Sequence, residues 1–580
     1  MGLDKTIGRK AVSRRSFLAG AATAGTMAAL GLGGCAPRVQ EAEADTGSGG
    51  VEPSGAPAWL GNAPEISDIA KTLDCDVLIV GAGCTGLAAG ATAAQLGLDF
   101  LLCEKSDHIA DNHWDIGAVN TRFTPEDHQI DKGRLLNELN RYASFKNDAS
   151  VSKVWIDESA EMIEWLYDLM SPYDISCEVD TENGGDGRAG GTMYYMPFEK
   201  HGFVYSNPSF PGWPFISQNP CFQEVIEASG KQILFKHDLV KLVREDDNAG
   251  RVSGAVFETD EGFVQVNARK GIVLATGGYA GNPTMVRAIN PIVPKCVTAV
   301  DFNQNNTGMG IKAGMWIGAA KDVEPSAMIF DRGGVEPGVD AGYVDESDDA
   351  IFPGQLQQLG IGSMPFLKVD RHGLRITNES ANYDAICHAA AQRPGGVWCE
   401  VFDVNAPQDV QVFQTQGCSN NVWRNTLNGR SVEEAYAKEI EMGVIQKADT
   451  LEELADKLGF EGANKEAFLA AVDRYNHLYD QGVDEDFGKE AYRLSAIREA
   501  PYYGAWFGGS LLTTLDGLRI NKNMQVLDNS NEIIEGLFAA GTCSGSFYSG
   551  NYPVYLVGNC MGRNITFGRH AVRYIAGDLD

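Results

Sequence analysis

The chain has 580 residues, 44% of them hydrophobic and 22% charged, which is typical of a folded protein large enough for two or more domains. Its 47 Lys and Arg residues against 78 Asp and Glu residues give a formal net charge of −31, which argues against a nucleic-acid partner and against electrostatic docking on anionic lipid. Acidic residues spread this evenly are most simply a solvated surface, so the charge identifies no substrate.

Residues 1–35 have the pattern of an export signal followed by a lipid-attachment site. The sequence SRRSFL at residues 13–18 is a twin-arginine signal, and the Ala- and Gly-rich stretch after it is too short and too weakly apolar to span a membrane. The sequence LGGC at residues 32–35 matches a bacterial lipobox, in which Cys35 would carry the lipid. We therefore expect export to the periplasm or the outer face of the cell membrane, with a lipid anchor at Cys35. Residues 36–69 are predicted to be a flexible linker.

Residues 74–105 predict a nucleotide-binding β-α-β unit. Residues 77–80 are a short apolar run, as expected of a parallel strand buried on both faces, and a helix of small residues is predicted from residue 87 to about residue 96. A second strand over residues 99–103 ends at Glu104. An acid in this place can accept hydrogen bonds from a ribose, so Glu104 and the adjacent Lys105 are candidate cofactor contacts.

The turn between the first strand and the helix has G-x-G-x-x-G spacing. Gly81 allows a tight turn, Gly83 lets a pyrophosphate approach the backbone, and Gly86 lets the helix pack closely against the strand. The N-terminus of the helix then faces the phosphates, with Ala82 and Thr85 beside them. The motif predicts dinucleotide binding but does not distinguish NAD from FAD.

The segments that follow supply further candidate contacts. A polar loop after the strand at residues 99–103 contains four of them, Asn112, His113, Gly117 and Ala118. An amphipathic helix is predicted over residues 150–170. Residues 184–215 are glycine- and aromatic-rich, and they are either a loop packed by its own rings or an apolar wall of the substrate site.

A second part of the cofactor site is predicted after a hairpin over residues 252–266, which follows strands at residues 232–235 and 239–244. A buried strand within residues 271–279 ends in Ala-Thr-Gly-Gly, which favours FAD and adds three candidate contacts, Ala275, Thr276 and Gly277. Residues 306–310 then open a helix with small residues, again a place to meet flavin or phosphate.

The 12 cysteines form no C-x-x-C pair, haem-attachment motif, iron–sulfur spacing or zinc pattern. Apart from Cys35, they are expected to be buried free thiols. No metal site is expected. Electrons must therefore reach the flavin from an external donor, a membrane-bound or soluble redox protein.

These motifs resemble the flavoprotein superfamily of soluble fumarate reductases, urocanate reductase and 3-ketosteroid dehydrogenases over roughly residues 74–577. Two further matching motifs are RITNE at residues 375–379 and GLFAAG at residues 536–541. Three more segments are similar to cap-domain helices of this superfamily, at residues 450–460, 464–480 and 484–488. His113 is near the position where membrane-bound fumarate reductases attach FAD covalently. It is not in clean register, so non-covalent FAD is expected.

The resemblance implies an α/β fold with a Rossmann-like FAD-binding domain split in sequence, over residues 70–345 and 505–580. An α+β cap domain would be inserted at residues 346–504. Active sites of this family lie between the cap and the flavin. The resemblance also implies FAD contacts from Gly541, Thr542 and Leu556.

Three positions depart from the fumarate reductases. Their proton-donating cap arginine corresponds to Tyr383, their substrate histidine to Thr513, and their carboxylate-binding arginine to about Tyr555. A dicarboxylate in a dry pocket without these cations would have unpaired charges. The departures therefore argue against a fumarate reductase.

The ketosteroid dehydrogenases match better at the same places. Their cap motif Asn-Glu-x-x-x-Tyr runs here from Asn378 to Tyr383, and their C-terminal Tyr-Pro is Tyr552-Pro553. The family continues Gly-Pro-Gly where this chain has Val-Tyr-Leu, so the backbone site for the carbonyl oxygen differs. The two tyrosines are either catalytic or simply packed in the core.

The expected function is reduction of a C=C bond conjugated to a carbonyl in a neutral, ring-containing small molecule, steroid-like or phenolic. The resemblance implies hydride from the flavin and a proton from Tyr383, while Tyr552 and the backbone near Leu556 hold the carbonyl oxygen. Tyr555 is a further candidate catalytic residue and an alternative proton donor. Ketosteroid-type dehydrogenation would use the same residues in reverse. Two further alternatives are a non-enzymatic flavin lipoprotein and a reductase of unsaturated acids that binds carboxylate through Arg371, Arg375 or Arg424.

Overall fold

The computed structural model describes residues 57–110, 116–126, 129–179, 208–209, 217–301, 303–413, 419, 421–554 and 558–579. The predicted export signal, the lipobox at Cys35 and most of the predicted linker lie outside the described residues, as does nearly all of the aromatic stretch over residues 184–215. No helix among the described residues is both long enough and apolar enough to cross a membrane.

Most of the strands belong to two sheets. The strands are β1 (Ile69–Val80), β2 (Phe100–Cys103), β3 (Glu178–Val179), β4 (Pro208–Ser209), β5 (Ile233–Leu234), β6 (Asp238–Arg244), β7 (Val252–Thr259), β8 (Gly262–Leu274), β9 (Val297–Val300), β10 (Ala327–Val335), β11 (Leu367–Val369), β12 (Trp398–Asp403), β13 (Ile445–Ala448), β14 (Tyr502–Thr514), β15 (Gln525–Leu527) and β16 (Ile533–Ala539). The short pair β3–β4 stands apart from both sheets.

The first sheet has a parallel core in the order β16-β8-β1-β2-β5, with β15, β7 and β6 paired antiparallel at its margins. Val80 is level with Cys103 on β2 and with Leu274 on β8, and Leu274 is level with Ala539 on β16. All four residues are buried, as expected for the core of a parallel sheet. The strands therefore end along one edge, the place where ligands bind in folds of this type.

The second sheet is built around the long strand β14, which pairs antiparallel with β10, β12 and β13 and parallel with β9. Strand β14 is buried along almost its whole length. The sheet takes strands from both sides of residues 345 and 504, where domain boundaries were predicted from the sequence. Those boundaries stay a prediction.

Helices surround the sheets. Those of seven residues or more are α1 (Cys84–Gln95), α2 (Lys132–Tyr142), α3 (Ala149–Met170), α4 (Asn219–Ala228), α5 (Pro283–Ile289), α6 (Met309–Trp316), α7 (Tyr383–Ala390), α8 (Ala406–Phe413), α9 (Leu451–Lys457), α10 (Gly462–Gln481) and α11 (Asn559–Ala576). Helix α1 is buried over ten consecutive residues because it packs against the first sheet, α4 and α11. A Cβ on Gly568 of α11 would lie 2.4 Å from the carbonyl oxygen of Thr85, so glycine is needed for this close contact.

The α/β class and the nucleotide-binding β-α-β unit are confirmed, with two differences in detail. The predicted hairpin and the buried strand after it are joined in one strand, β8, which pairs with both β7 and β1. Arg269 and Lys270 do not interrupt it because their side chains are exposed and pair with Asp76. Helix α1 begins at Cys84 rather than residue 87, because the extended Gly83 is its N-cap.

Candidate active site

A cavity of about 450 Å³ lies at the edge where the parallel strands of the first sheet end. The G-x-G-x-x-G turn forms one wall. Gly81 has φ +104°, and a Cβ there would be 2.5 Å from the carbonyl oxygen of Ala275; a Cβ on Gly86 would be 1.8 Å from the oxygen of Gly81. Gly83 faces the cavity, and a Cβ on it would meet no atom of the described residues within 4 Å. A side chain therefore has room at Gly83 but not at the other two glycines, and a ligand can approach the backbone at Gly83.

Glu104 lines the cavity directly beside this turn. Its carboxylate accepts hydrogen bonds from the backbone N–H groups of Ala82, at 2.7 Å, and Ser106, at 2.8 Å. A carboxylate has about four lone-pair directions, so two bonds fix its orientation and still leave acceptor capacity for ribose hydroxyls. Lys105 donates to the carbonyl oxygen of Asn305 and ties the ribose strand to the loop before α6.

The opposite wall follows β8. Ala275, Thr276 and Gly277 all line the cavity. Gly277 has φ +77°, and a Cβ there would lie 2.6 Å from the side chain of Asn306. Thr276 packs directly against Gly310 in the first turn of α6, since a Cβ on Gly310 would be 2.1 Å from the Thr276 hydroxyl oxygen. Small residues thus keep this wall thin, which suits a flat cofactor ring.

The remaining predicted cofactor contacts separate into three groups. Thr542 lines the cavity, as does Thr85, while a Cβ on Gly541 would be 2.4 Å from the Thr85 hydroxyl. Gly117 and Ala118 are buried and do not line the cavity; the N–H of Gly117 donates to the oxygen of Gly558, just before α11. Three further predicted contacts lie outside the described residues, Asn112, His113 and Leu556.

The far end of the cavity is formed by the second sheet and the segment before α11. Its lining residues are buried, and they are Met328, Phe330, Leu512, Thr513 and Tyr552. None of these five carries a cationic side chain, so this end of the described cavity is apolar with hydroxyl groups. It differs in this way from the nucleotide end, which has Lys105 and two histidines.

Of the three predicted catalytic tyrosines, Tyr552 lies on the cavity wall. Its hydroxyl accepts a hydrogen bond from the backbone N–H of Cys560 at 3.3 Å. Tyr383 begins α7, is only 2% exposed, and does not line the cavity. Its ring packs edge-on against Phe330, which does line it, with centroids 4.6 Å apart. Tyr555 lies outside the described residues.

The structure adds Arg332, a residue that the sequence reasoning missed. Arg332 lies on β10 and is 5% exposed. It donates to the Tyr383 hydroxyl at 3.3 Å, and the same hydroxyl is hydrogen-bonded to Ser419. The sequence held one signal for it, the pair Asp-Arg inside the otherwise apolar and glycine-containing run AMIFDRGGV.

Two buried carboxyls lie next to this group. Burial raises the pKa of Asp331 to about 6, and its carboxylate accepts a hydrogen bond from the Ser363 hydroxyl at 2.5 Å. Burial raises the pKa of Asp384 to about 7. Asp384 accepts from the backbone N–H of Tyr552 at 3.3 Å, so it joins α7 to the segment that carries the second tyrosine.

The arginines considered for an unsaturated acid lie away from the cavity. Arg375 forms paired bonds to Glu379, each at 2.7 Å, and to Asp484, at 2.8 and 2.7 Å. Arg371 donates to Asp340 at 2.6 Å, and Arg424 stacks on the ring of Trp423. None of the three lines the cavity.

Other redox or metal groups are not formed by the residues that the structure describes. Their ten cysteines are free thiols, buried except for the half-buried Cys177. Within the same residues, no cluster of three or more His, Cys, Asp or Glu side chains could hold a metal ion.

Comparison with known proteins places these features in a family. Residues 76–556 match the FAD binding domain family. The chain is 25% identical over 523 residues to the vinyl phenol reductase of Lactiplantibacillus plantarum, an alignment that covers 88% of this chain and 97% of that protein. It is 26% identical over 508 residues to a probable fumarate reductase of Shewanella frigidimarina, covering 87% and 74%.

The fold is similar to that of 3-ketosteroid delta1-dehydrogenase from Sterolibacterium denitrificans in complex with 1,4-androstadiene-3,17-dione. The TM-score is 0.64 at 19% identity, over 87% of this chain and all of the other.

Proposed function

The chain belongs to the FAD binding domain family and is an FAD-dependent oxidoreductase acting on carbon–carbon double bonds, and we propose that it reduces a conjugated C=C bond in a neutral, ring-containing small molecule. Steroid-like and phenolic enones are the class we favour. The vinyl phenol reductase that aligns over nearly its whole length supports a neutral aromatic substrate, as its name denotes one.

The observation that carries this proposal is the character of the far end of the cavity. Phe330, Leu512 and Met328 offer apolar surface, while Thr513 and Tyr552 offer hydroxyl groups. A carboxylate placed there would have no cationic partner among the lining residues that the structure describes at this end, and an unpaired buried charge costs several kcal/mol, roughly 3–5 in measured cases. A neutral ring with one hydrogen-bonding oxygen has no such penalty.

The residues divide the work as follows. Glu104, Gly83 and Thr276 would hold the cofactor, and bound FAD supplies hydride transfer. Tyr552 donates a hydrogen bond to the substrate oxygen, where charge develops in the transition state. Tyr383 gives the proton. Its hydroxyl is bonded to Arg332 and its ring packs behind Phe330, so the Phe330 ring must move aside for substrate to reach the hydroxyl, as catalytic hydrogen bonds often form only in the complex.

Export and membrane attachment are part of the proposal and are supported by the sequence alone. The twin-arginine motif at residues 13–18 would carry the folded flavoprotein across the membrane, and lipidated Cys35 would hold it there. Electrons would come from an external redox partner.

The test is anaerobic reoxidation of the reduced flavin by a panel of alkenes. We expect neutral enones and vinyl phenols to reoxidise the flavin, and fumarate, acrylate and urocanate to do so at least tenfold more slowly. Reoxidation by the acids alone would overturn the proposal. The saturated counterparts of the same compounds are then added to the oxidised enzyme. Reduction of the flavin by them measures activity in the dehydrogenase direction.

A second candidate, reduction of an unsaturated monocarboxylic acid, is favoured by one observation. Arg332 lies directly behind Phe330, with its guanidinium carbon 4.8 Å from the ring centroid. Displacement of that ring would expose a cation to the cavity. Inhibition of turnover by acetate or benzoate, reversed by Arg332→Met, would favour this candidate over the first.

A further inference from the structure

The Arg332 side chain makes four hydrogen bonds beside the cavity. Its guanidinium donates to Ser363 at 2.8 Å, to Gln358 at 3.2 Å, and to Tyr383 and Ser419 at 3.3 Å each. Three separate segments beyond β10 therefore converge on one side chain. Such a set of bonds fixes both the position and the plane of the guanidinium.

Two aromatic rings confine the same guanidinium. Its central carbon is 4.8 Å from the ring centroid of Phe330 and 5.0 Å from that of Tyr383. Stacking of this kind attracts a cation to the ring face. Arg332 thus contacts both the residue on the cavity wall and the phenol behind it.

Several ionisable groups lie near the Arg332 charge. Asp331 precedes it and is bridged to it by the Ser363 hydroxyl, and Gln358 links it to a further acid. The charged groups linked to the Arg332–Tyr383 pair are Asp331, Asp384, which follows Tyr383, and Asp301, which is reached through Gln358; Lys368 acts on Asp331. The carboxyls of Asp331 and Asp384 have pKa values raised by burial, so they titrate near neutral pH and below the range of a phenol.

We propose that Arg332 is the positioning residue of the proton donor: its guanidinium holds the Tyr383 hydroxyl and stabilises the phenolate that remains after proton transfer. The inference rests on the proposed function, in which Tyr383 is that donor. The O–H bond of Tyr383 breaks as a C–H bond forms on the substrate, the hydride on the neighbouring carbon comes from reduced FAD, and water returns the proton to the phenolate.

The rest of the network holds Arg332 in place. Gln358 is exposed and accepts a hydrogen bond from Arg332, and the Ser419 hydroxyl is bonded to both Arg332 and Tyr383. A guanidinium keeps its protons and accepts no hydrogen bond, so Arg332 relays no proton. Positioning of the phenol and stabilisation of the phenolate therefore depend on one arginine.

The experiment is a double-mutant cycle of Arg332→Met and Tyr383→Phe, measured as turnover of the best alkene from the panel. A hydrogen bond to a charged group predicts a fall of roughly 10- to 100-fold for Arg332→Met. Arg332→Lys should recover part of the loss, since it keeps the charge. In the Tyr383→Phe background the arginine change should have little further effect. Arg371→Met is the matched control, because it removes an arginine stacked on Trp506, away from the cavity, and should leave turnover unchanged.

A pH profile separates this role from simple packing. Loss of a neighbouring cation makes a phenol harder to ionise, so the alkaline limb of turnover should move to higher pH by about 1–3 units in Arg332→Met. Ultraviolet difference spectra between each enzyme and the same enzyme carrying Tyr383→Phe follow the phenol directly, and Arg332→Met should move its ionisation in the same direction as the alkaline limb.

Multiplicative losses in the cycle, or an alkaline limb that Arg332→Met leaves in place, would overturn the proposal. Failure of the proposed function looks different. If the wild type reduces only acids, the same cycle is run on that acid. A large loss in Arg332→Met that persists undiminished in the Tyr383→Phe background would then identify Arg332 as the acid-binding cation.

Discussion

Gly83 provides a direct test of the cofactor site, because a side chain there has room in the protein but not in the complex. Its backbone is extended, with φ −81° and ψ −178°, a conformation any residue adopts, and within the described part of the chain no atom lies within 4 Å of a Cβ at that position. Gly83→Leu should therefore fold, with a change in the free energy of unfolding within the roughly ±0.5 kcal/mol usual for sites without close contacts. The leucine would fill the space that the pyrophosphate needs.

The expected result is loss of bound FAD with little loss of apoprotein stability. Flavin content is measured by absorbance of the purified protein, and unfolding by thermal melts with and without added FAD. A ligand at 100 times its Kd stabilises the wild type by about 2.7 kcal/mol, a difference that should vanish in Gly83→Leu.

Gly86→Ala is the contrasting control. Its Cβ would lie 1.8 Å from the carbonyl oxygen of Gly81, so the helix must move away from the strand, and the apoprotein itself should lose roughly 1–3 kcal/mol. Full flavin content in Gly83→Leu, or an apoprotein as destabilised as Gly86→Ala, would refute the reasoning about this turn.

Three further predictions concern chemistry, pH and location. Tyr383→Phe should retain flavin but lower the rate of alkene turnover by ~10²–10⁴-fold, and Tyr552→Phe should lower it by ~10²–10³-fold. Both rates are measured by stopped-flow reoxidation of the flavin. Wild-type rates in both variants would show that the two rings only pack in the core. The pKa of Asp384 is raised to about 7 from an ordinary value of 3.8, so its contribution to stability is complete below pH 4 and lost as pH rises toward 7. Asp384→Asn should make the melting temperature less dependent on pH in that window, and an unchanged dependence would contradict this. Lysines in place of both signal arginines should trap the protein in the cytoplasm, and Cys35→Ala should release it from membranes, as fractionation would show; a membrane-bound Cys35→Ala protein would indicate an uncleaved signal anchor.

The nucleotide half of the site was predictable because its determinants are local. The apolar run of β1, the three glycines and Glu104 lie within about thirty residues, and each has a role set by backbone geometry rather than by distant partners. The continuity of β8 through Arg269 and Lys270 was harder to predict. Two consecutive charges indicate the end of a strand, and only the register of β8 against β1 shows that Asp76 receives them.

The proton-donor group could not be predicted in the same way. Tyr383 was found through a resemblance, but its partners Arg332 and Ser419, and Gln358 bonded to Arg332, come from segments far apart in the chain. No spacing rule connects them, since they meet only when β10, α7 and the loop before β11 pack together. The position of Tyr383 behind Phe330 likewise follows from tertiary packing.

The contact between α11 and α1 has a consequence for biosynthesis. Arg563 of α11 is buried and donates to the oxygens of Gly541 and Ser544, and Gly568 packs on Thr85 in the first turn of the nucleotide motif. The phosphate-binding turn is therefore supported by residues that the ribosome adds almost five hundred positions later. A nascent chain that has emerged only as far as β14 lacks this support, so stable flavin retention must await release of the finished polypeptide.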